Sequence, residues 1–197
     1  MAENVKILYE ECIGEIVEKK SRFIACLRPV ATLEEANAFV EEKKKQYWNA
    51  RHNCSAFVIG ENKEITRCSD DGEPSGTAGR PMLEVLLGEG VHNVAAVVTR
   101  YFGGVLLGTG GLVRAYQGAM KEALKNANII TKTCGKTMDL VVDYNGIGKL
   151  QYIMAGKGII PLDTIYAADV TAKLVVADLL STTVQAVDPE FTVVVVQ

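Results

Sequence analysis

No stretch of this sequence approaches the roughly 20 consecutive apolar residues that a membrane-crossing helix needs. The longest unbroken runs, such as Val94–Val98 and Val193–Val196, are far shorter. The opening MAENVKILYEECIGE is acidic and lacks an apolar core segment, so it does not read as a signal peptide. Basic charge is not in excess: 21 Lys and Arg stand against 24 Asp and Glu, a net of −3. That excludes a global pull toward nucleic acid or anionic membrane, and any such contact must rest on a local patch. Neither a membrane partner nor sequence-specific DNA binding is expected. The five cysteines are odd in number and none stands in a CxxC, which argues against a disulfide framework or a structural zinc site. No metal and no cofactor is expected, and the chain reads as cytoplasmic.

What is present is an ordinary globular balance. Of 197 residues, 48% are apolar and 23% charged, enough for one large domain or two modest ones with real cores. Val5–Leu8, Ile13–Val17 and Arg22–Leu27 read as strands. Thr32-x-x-Glu35 is a capping box opening a helix to Trp48, with Leu33, Ala36, Phe39, Val40 and Tyr47 at helical spacing. Glu41–Lys45 reads as that helix's solvated face, with RNA contact as the alternative. Strands follow at His52–Ile59 and Ile65–Cys68. DDGEPSGTAG (70–79) is too rich in glycine and turn residues for regular structure. Pro81 suits the first turn of a helix through Leu87, and Val94–Arg100 suits a buried strand.

FGGVLLGTGG (102–111) leads into a helix whose core stripe is Leu112, Tyr116, Ala119, Met120, Ala123 and Ala127. The pattern resets over Thr131–Lys136. Beyond it come strand Thr137–Tyr144, helix Asn145–Ala155, one or two strands over Ile165–Val176, a short helix from Asp178 to Val187, and strand Phe191–Val196. That is a complete βαββαβ, so the chain divides into 1–131 and 132–197. The second part holds no arginine, which favours the first for any polyanion.

Three constellations could carry chemistry. Gly108, Gly110 and Gly111 precede a helix, so its N–H groups could face an anion, although neither GxxxxGK[ST] nor GxGxxG is present. Asp70, Asp71 and Glu73 could hold Mg²⁺ or act as acid and base, but lack EF-hand spacing. The bland alternative is that they pair with Arg80, Arg100 or Arg114, or cap the following helix. His52 and Cys54 share a strand face and could form a nucleophilic pair, although a packed thiol beside a hydrogen-bonded imidazole is the commoner arrangement.

Lys20-Ser21-Arg22-Phe23, Arg51-His52-x-Cys54, DDGEPSGTAGRPML (70–83) and VVTRYFGGVLLGTGGLVRAY (97–116) together resemble the signature of the IMPACT/YigZ family, over about residues 15–130. The resemblance implies an α+β protein. Its first domain (1–131), the Impact N-terminal domain, would be of the ribosomal-protein-S5-domain-2 type, and the second (132–197) ferredoxin-like. Eukaryotic members regulate translation initiation, and no established catalytic residues come with the family. The expected function is therefore non-catalytic and translation-linked, with RNA or a ribosome component or translation factor as partner. Candidate contacts are Lys20, Arg22, Arg100, Tyr101, Phe102, Gly108, Gly110, Gly111 and Arg114. The alternative is a nucleotide- or phosphometabolite-binding enzyme, since the S5-type fold is shared with small-molecule kinases. There Asp70, Asp71 and Glu73 would supply metal ligands, but those kinases' serine-rich phosphate loop is missing. Either way, the acidic loop and the glycine-rich segment should meet in one concave patch.

Overall fold

The computed structural model describes residues 3–60, 62–134, 136–156, 161, 163–176 and 192–195, and the fold is α+β. Val5–Lys132 forms one compact unit, and the described residues before and after it, including Glu3 and Asn4 at one end and Thr133 and Cys134 at the other, group with a second. In chain order the first carries β1 (Glu3–Leu8), β2 (Cys12–Glu18), β3 (Ser21–Pro29), α1 (Leu33–Gln46), β4 (His52–Ile59) and β5 (Ile65–Ser69). Then come α2 (Gly79–Glu89), β6 (Val91–His92), β7 (Val94–Tyr101), α3 (Thr109–Lys125) and β8 (Ile129–Cys134). Five strands pair throughout antiparallel in the order β2-β3-β7-β4-β5, and a small sheet runs β6-β1-β8.

The five-stranded sheet is covered on both faces, which explains its nearly continuous apolar strands. Because side chains alternate, Phe23, Ala25 and Leu27 of β3 pack with α2 and α3, while Ile24 and Cys26 pack with α1. Strand β7 divides the same way, Val94, Ala96 and Val98 on one side and Ala95 and Val97 on the other. The stripe expected on α3 is the buried one, from Leu112 through Tyr116 to Ala123, with Ala127 packed at its edge. Gly14 lets β2 approach α3 closely: a Cβ there would lie 2.2 Å from the Ala123 nitrogen.

Helix α1 starts at the expected cap. Thr32 Oγ1 accepts the Glu35 N–H at 3.2 Å, while Glu35 returns its carboxylate to the Ala31 N–H at 2.6 Å. Replacing Thr32 with alanine should therefore cost about 1 kcal/mol in denaturant unfolding, with an unchanged slope. The charged run on α1 is not wholly solvated. Lys43 stands one turn beyond Phe39 and is buried, its Nζ 2.7 Å from Glu11, while Arg28 bridges Glu11 and Glu42. Helical spacing carried Lys43 onto the core side, where the Phe39 ring lies 5.4 Å from its ammonium.

Two elements differ from the sequence reading. β8 occupies much of the expected reset, and β6 is a two-residue strand pairing with β1 in parallel, Lys6 opposite Val91.

The second unit contains β9 (Lys136–Val142), α4 (Ile147–Gly156), β10 (Asp163–Tyr166), β11 (Val170–Val176) and β12 (Thr192–Val195). Its sheet order is β10-β11-β9-β12, every neighbour antiparallel. Leu140, Val142, Leu150, Met154, Val170 and Ala172 form a core of its own. The helix expected over Asp178–Val187 lies outside the described residues. Among the described residues, no helix is long and apolar enough to cross a membrane.

Candidate functional site

The acidic loop after β5 is held by its own carboxylates. Asp70 accepts the backbone N–H groups of Gly76, Ala78 and Gly79 at 2.8, 3.0 and 2.8 Å, and so caps α2 from outside. Burial pushes its carboxyl upward, but the three N–H bonds together outweigh that and hold it below the usual aspartate value. Asp70 therefore stabilises the fold above the ordinary carboxylate range, and that contribution is lost as pH falls through its lower native value. Asp70→Asn should flatten the acid limb of a stability-against-pH curve and lower the plateau near neutrality; an unaltered curve would remove the capping role.

Asp71, at φ +44°, accepts the Asn53 N–H at 2.7 Å and lies 3.6 Å from Lys44 Nζ. Glu73 is buried and receives two donors on one oxygen: Arg100 Nη1 at 2.7 Å and the Tyr116 hydroxyl at 2.8 Å. The three carboxylates thus turn in three directions: Asp70 into its own loop, Asp71 toward β4 and α1, and Glu73 toward β7 and α3. Among the described residues, no group of three or more His, Cys, Asp or Glu is arranged to hold a metal ion. In this arrangement the three carboxylates are engaged by N–H, ammonium, guanidinium and hydroxyl donors, with both donors to Glu73 on a single oxygen.

His52 and Cys54, on one face of β4, fasten the same loop. His52 Nδ1–H donates to the Asp71 carbonyl at 2.8 Å, and the Cys54 thiol lies 3.0 Å from the Asp70 carbonyl and 3.3 Å from the Tyr116 hydroxyl. Burial drives the Cys54 thiol well above its ordinary pKa, against a smaller opposing effect of the Tyr116 hydrogen bond. A thiol held neutral is a poor nucleophile.

Across from this loop runs the glycine-rich segment, and the two enclose a cleft of about 370 Å³. Gly72, Glu73 and Pro74 form one side; Phe102, Leu106, Leu107, Gly108, Thr109 and Leu112 form the other; Arg51, His52 and Arg100 complete it. The expected meeting of the two segments is what the fold produces. Gly108, at φ +74°, turns the chain into α3. Gly110 and Gly111 lie inside the helix's first turn rather than ahead of it. Its own ladder begins where the Leu112 N–H meets the Gly108 carbonyl at 2.9 Å, and no side chain caps the N–H groups of Thr109, Gly110 and Gly111. Gly103 passes directly over the β2–β3 turn, where a Cβ would meet the Lys20 carbonyl carbon at 2.0 Å.

The candidate contacts do not form a single cluster. Arg100 is buried, its side chain only 6% exposed, and its Nε–H has no hydrogen-bond partner among the described residues. Its guanidinium lies 5.6 Å from the Phe102 ring, which is 40% exposed and also has Arg51 at 5.7 Å. Arg22 is exposed and bidentate on Glu15, at 2.6 and 2.7 Å. It faces Tyr101 across the β3–β7 pairing, and the Tyr101 hydroxyl donates to Asn49 at 3.0 Å. Lys20 sits at φ +65° in the β2–β3 turn. Arg114 opens on a separate cleft of about 190 Å³ with Glu18, Lys19 and Gly111, sharing Leu107 with the larger one.

Arg51, Leu106 and Thr109 line the larger cleft; all three fall within the family motifs, but none is among the candidate contacts the sequence offers. The available signal for Arg51 was its place just before His52, whose strand partner is Arg100.

An Impact N-terminal domain model matches residues 19–124, which spans both motif loops. The chain is 52% identical over 137 residues to the IMPACT family member YvyE of Bacillus subtilis (strain 168), covering 70% of this chain and 63% of that one. It is 44% identical over 138 residues to the IMPACT family member YigZ of Escherichia coli (strain K12), covering 69% and 68%. A crystal structure described as a hypothetical protein aligns with 100% of this chain and 99% of its own at 33% identity, with a TM-score of 0.66. The motifs, the matched domain and these relatives agree, and the chain belongs to the IMPACT family.

Proposed function

We propose that this protein is a non-catalytic, translation-linked regulator that docks on RNA through the cleft between its two motif loops. The observation that carries the reading is how the charges around the cleft are disposed. Asp70, Asp71 and Glu73 are engaged by protein donors, while Arg51, Phe102 and Leu106 are exposed. A guanidinium, an aromatic face and an apolar rim, with the carboxylates turned inward, suit a phosphate backbone carrying unstacked bases. Lys20, Arg22, Tyr101 and Arg114 lie outside this cleft and are proposed as secondary contacts only. Family membership supports the translation-linked part. The strand order of the second unit, 4-1-3-2 in its own chain order and antiparallel throughout, supports a ferredoxin-like reading of that unit, while the S5-domain-2 type proposed for the first rests on the family resemblance alone.

Fluorescence anisotropy with labelled single-stranded RNA tests the reading. Binding should be modest and fall steeply with salt, because the protein's net charge is −3 and attraction rests on a local patch. The double variant Arg51→Ala/Phe102→Ala should weaken it about tenfold or more, uniformly across sequences. Unchanged binding by that variant would overturn the reading. Absence of RNA binding alongside capture by a ribosomal protein would replace RNA with a protein partner.

A further inference from the structure

We infer that the cleft between the motif loops is a pocket for one phosphate-bearing nucleotide, with its phosphate monoester at the open start of α3 and its base against Phe102. This rests on the RNA-docking reading and specifies which part of an RNA the cleft takes: an end that carries a phosphate.

Three features of the site lead there. First, about 370 Å³ is room for a single nucleotide and too little for a duplex, at the small end of ligand pockets. Second, the donors are unspent. The N–H groups of Thr109, Gly110 and Gly111 precede the helical ladder and have no side-chain cap, and Thr109 itself lines the cleft. A helix start of this kind alone would mean little. Here the cleft is also lined by Arg100, more than nine-tenths buried, whose Nη1 is spent on Glu73 but whose Nε–H is unpartnered among the described residues. A buried charged donor without an acceptor is costly, and an oxygen brought against Arg100 at the cleft wall would relieve that cost.

Third, the charges add up to a monoester rather than a diester. Arg100 and Glu73 cancel as a close pair. Arg51 then leaves one positive charge, and the start of a 17-residue helix adds about half of another. The sum of about +1.5 approaches the −1.5 to −2 of a phosphate monoester at neutral pH, whereas an internal diester carries a single charge. The apolar side fits the other half of the ligand. Phe102 offers a ring that is 40% exposed, and a base can stack on the part of it that Arg51 and Arg100 leave open.

The test compares short single-stranded oligoribonucleotides of one sequence bearing a 5′-phosphate, a 3′-phosphate or hydroxyl ends, together with a free nucleoside monophosphate. Each is titrated into the parent protein and into Arg51→Gln, whose exposed side chain can change without disturbing the core. At least one phosphate-ended oligonucleotide should bind about tenfold tighter than the hydroxyl-ended one. Arg51→Gln should remove most of that difference, and the amide resonances of Thr109, Gly110 and Gly111 should shift only with the phosphate-ended ligand. If all ends bind alike and Arg51→Gln weakens them equally, RNA docking stands and the end-pocket is wrong. If nothing binds, both fall. If the free nucleotide binds and the oligonucleotides do not, the pocket stands and its ligand is a nucleotide rather than an RNA end.

Discussion

Arg100→Ala is expected to lower the unfolding free energy by about 3–5 kcal/mol, because it strands the Glu73 carboxylate in a buried site. The loss should reach both motif loops at once, since Glu73 anchors one and Arg100 sits in β7 where it runs into the other. Tyr116 would still donate to Glu73 at 2.8 Å, but a neutral hydroxyl does not replace a guanidinium. The companion Glu73→Gln should cost less, because an amide oxygen can still accept from Arg100 and Tyr116. Combining the two changes should cost clearly less than their sum, by about 0.5–3 kcal/mol, as for any contacting pair. Denaturant unfolding of the two singles and the double measures this cycle. Additive losses would mean that the 2.7 Å contact carries no coupling and Arg100 is held by something else. This is the stapling role that the sequence left as the rival to phosphate contact.

Gly14→Ala should be similarly severe for a change of one methyl. The new Cβ would sit 2.2 Å from the Ala123 nitrogen and 2.5 Å from its Cα, both backbone atoms that cannot swing aside. Either β2 leaves its register with β3 or α3 lifts from the sheet, exposing part of the stripe from Leu112 to Ala123. Overpacking of this kind costs about 1–3 kcal/mol where side chains can adjust, and the backbone contact puts this site at or beyond the upper end. Thermal unfolding should show a drop of several degrees per kcal/mol. Substituting alanine at Gly88, where nothing lies within 4 Å, should by contrast leave stability unchanged or slightly raised. Equal behaviour of the two variants would mean that β2 and α3 are not in this close contact.

Much of this was legible in the residues. The strand at His52–Ile59, the capping box at Thr32 and the α3 stripe each rest on local period and cap chemistry, which the fold kept. The convergence of the two motif loops followed from opposite charge and a shared lack of regular structure. What sequence could not reach was pairing across long separations. β6 is too short to leave a period, and its partner β1 lies more than eighty residues earlier. Lys43 looked like one of five adjacent charges until Glu11, on another element, supplied its counter-ion at 2.7 Å. The fates of Asp70, Asp71 and Glu73 were open for the same reason: a cap, an ammonium and a buried guanidinium sit on different elements. Arg51 stands in a family motif, but its place on the cleft comes from the fold and not from its neighbours in sequence.

On the proposed function, the carboxylates of Asp70, Asp71 and Glu73 hold the motif loops, and the partner sits in the cleft between those loops. An amide chemical-shift titration with single-stranded RNA tests it most directly. The account predicts shifts confined to Arg51, residues 72–74 and residues 102–112, growing weaker as salt is raised. Shifts confined to the second unit, at β10 and β11, with the motif loops unmoved, would contradict it.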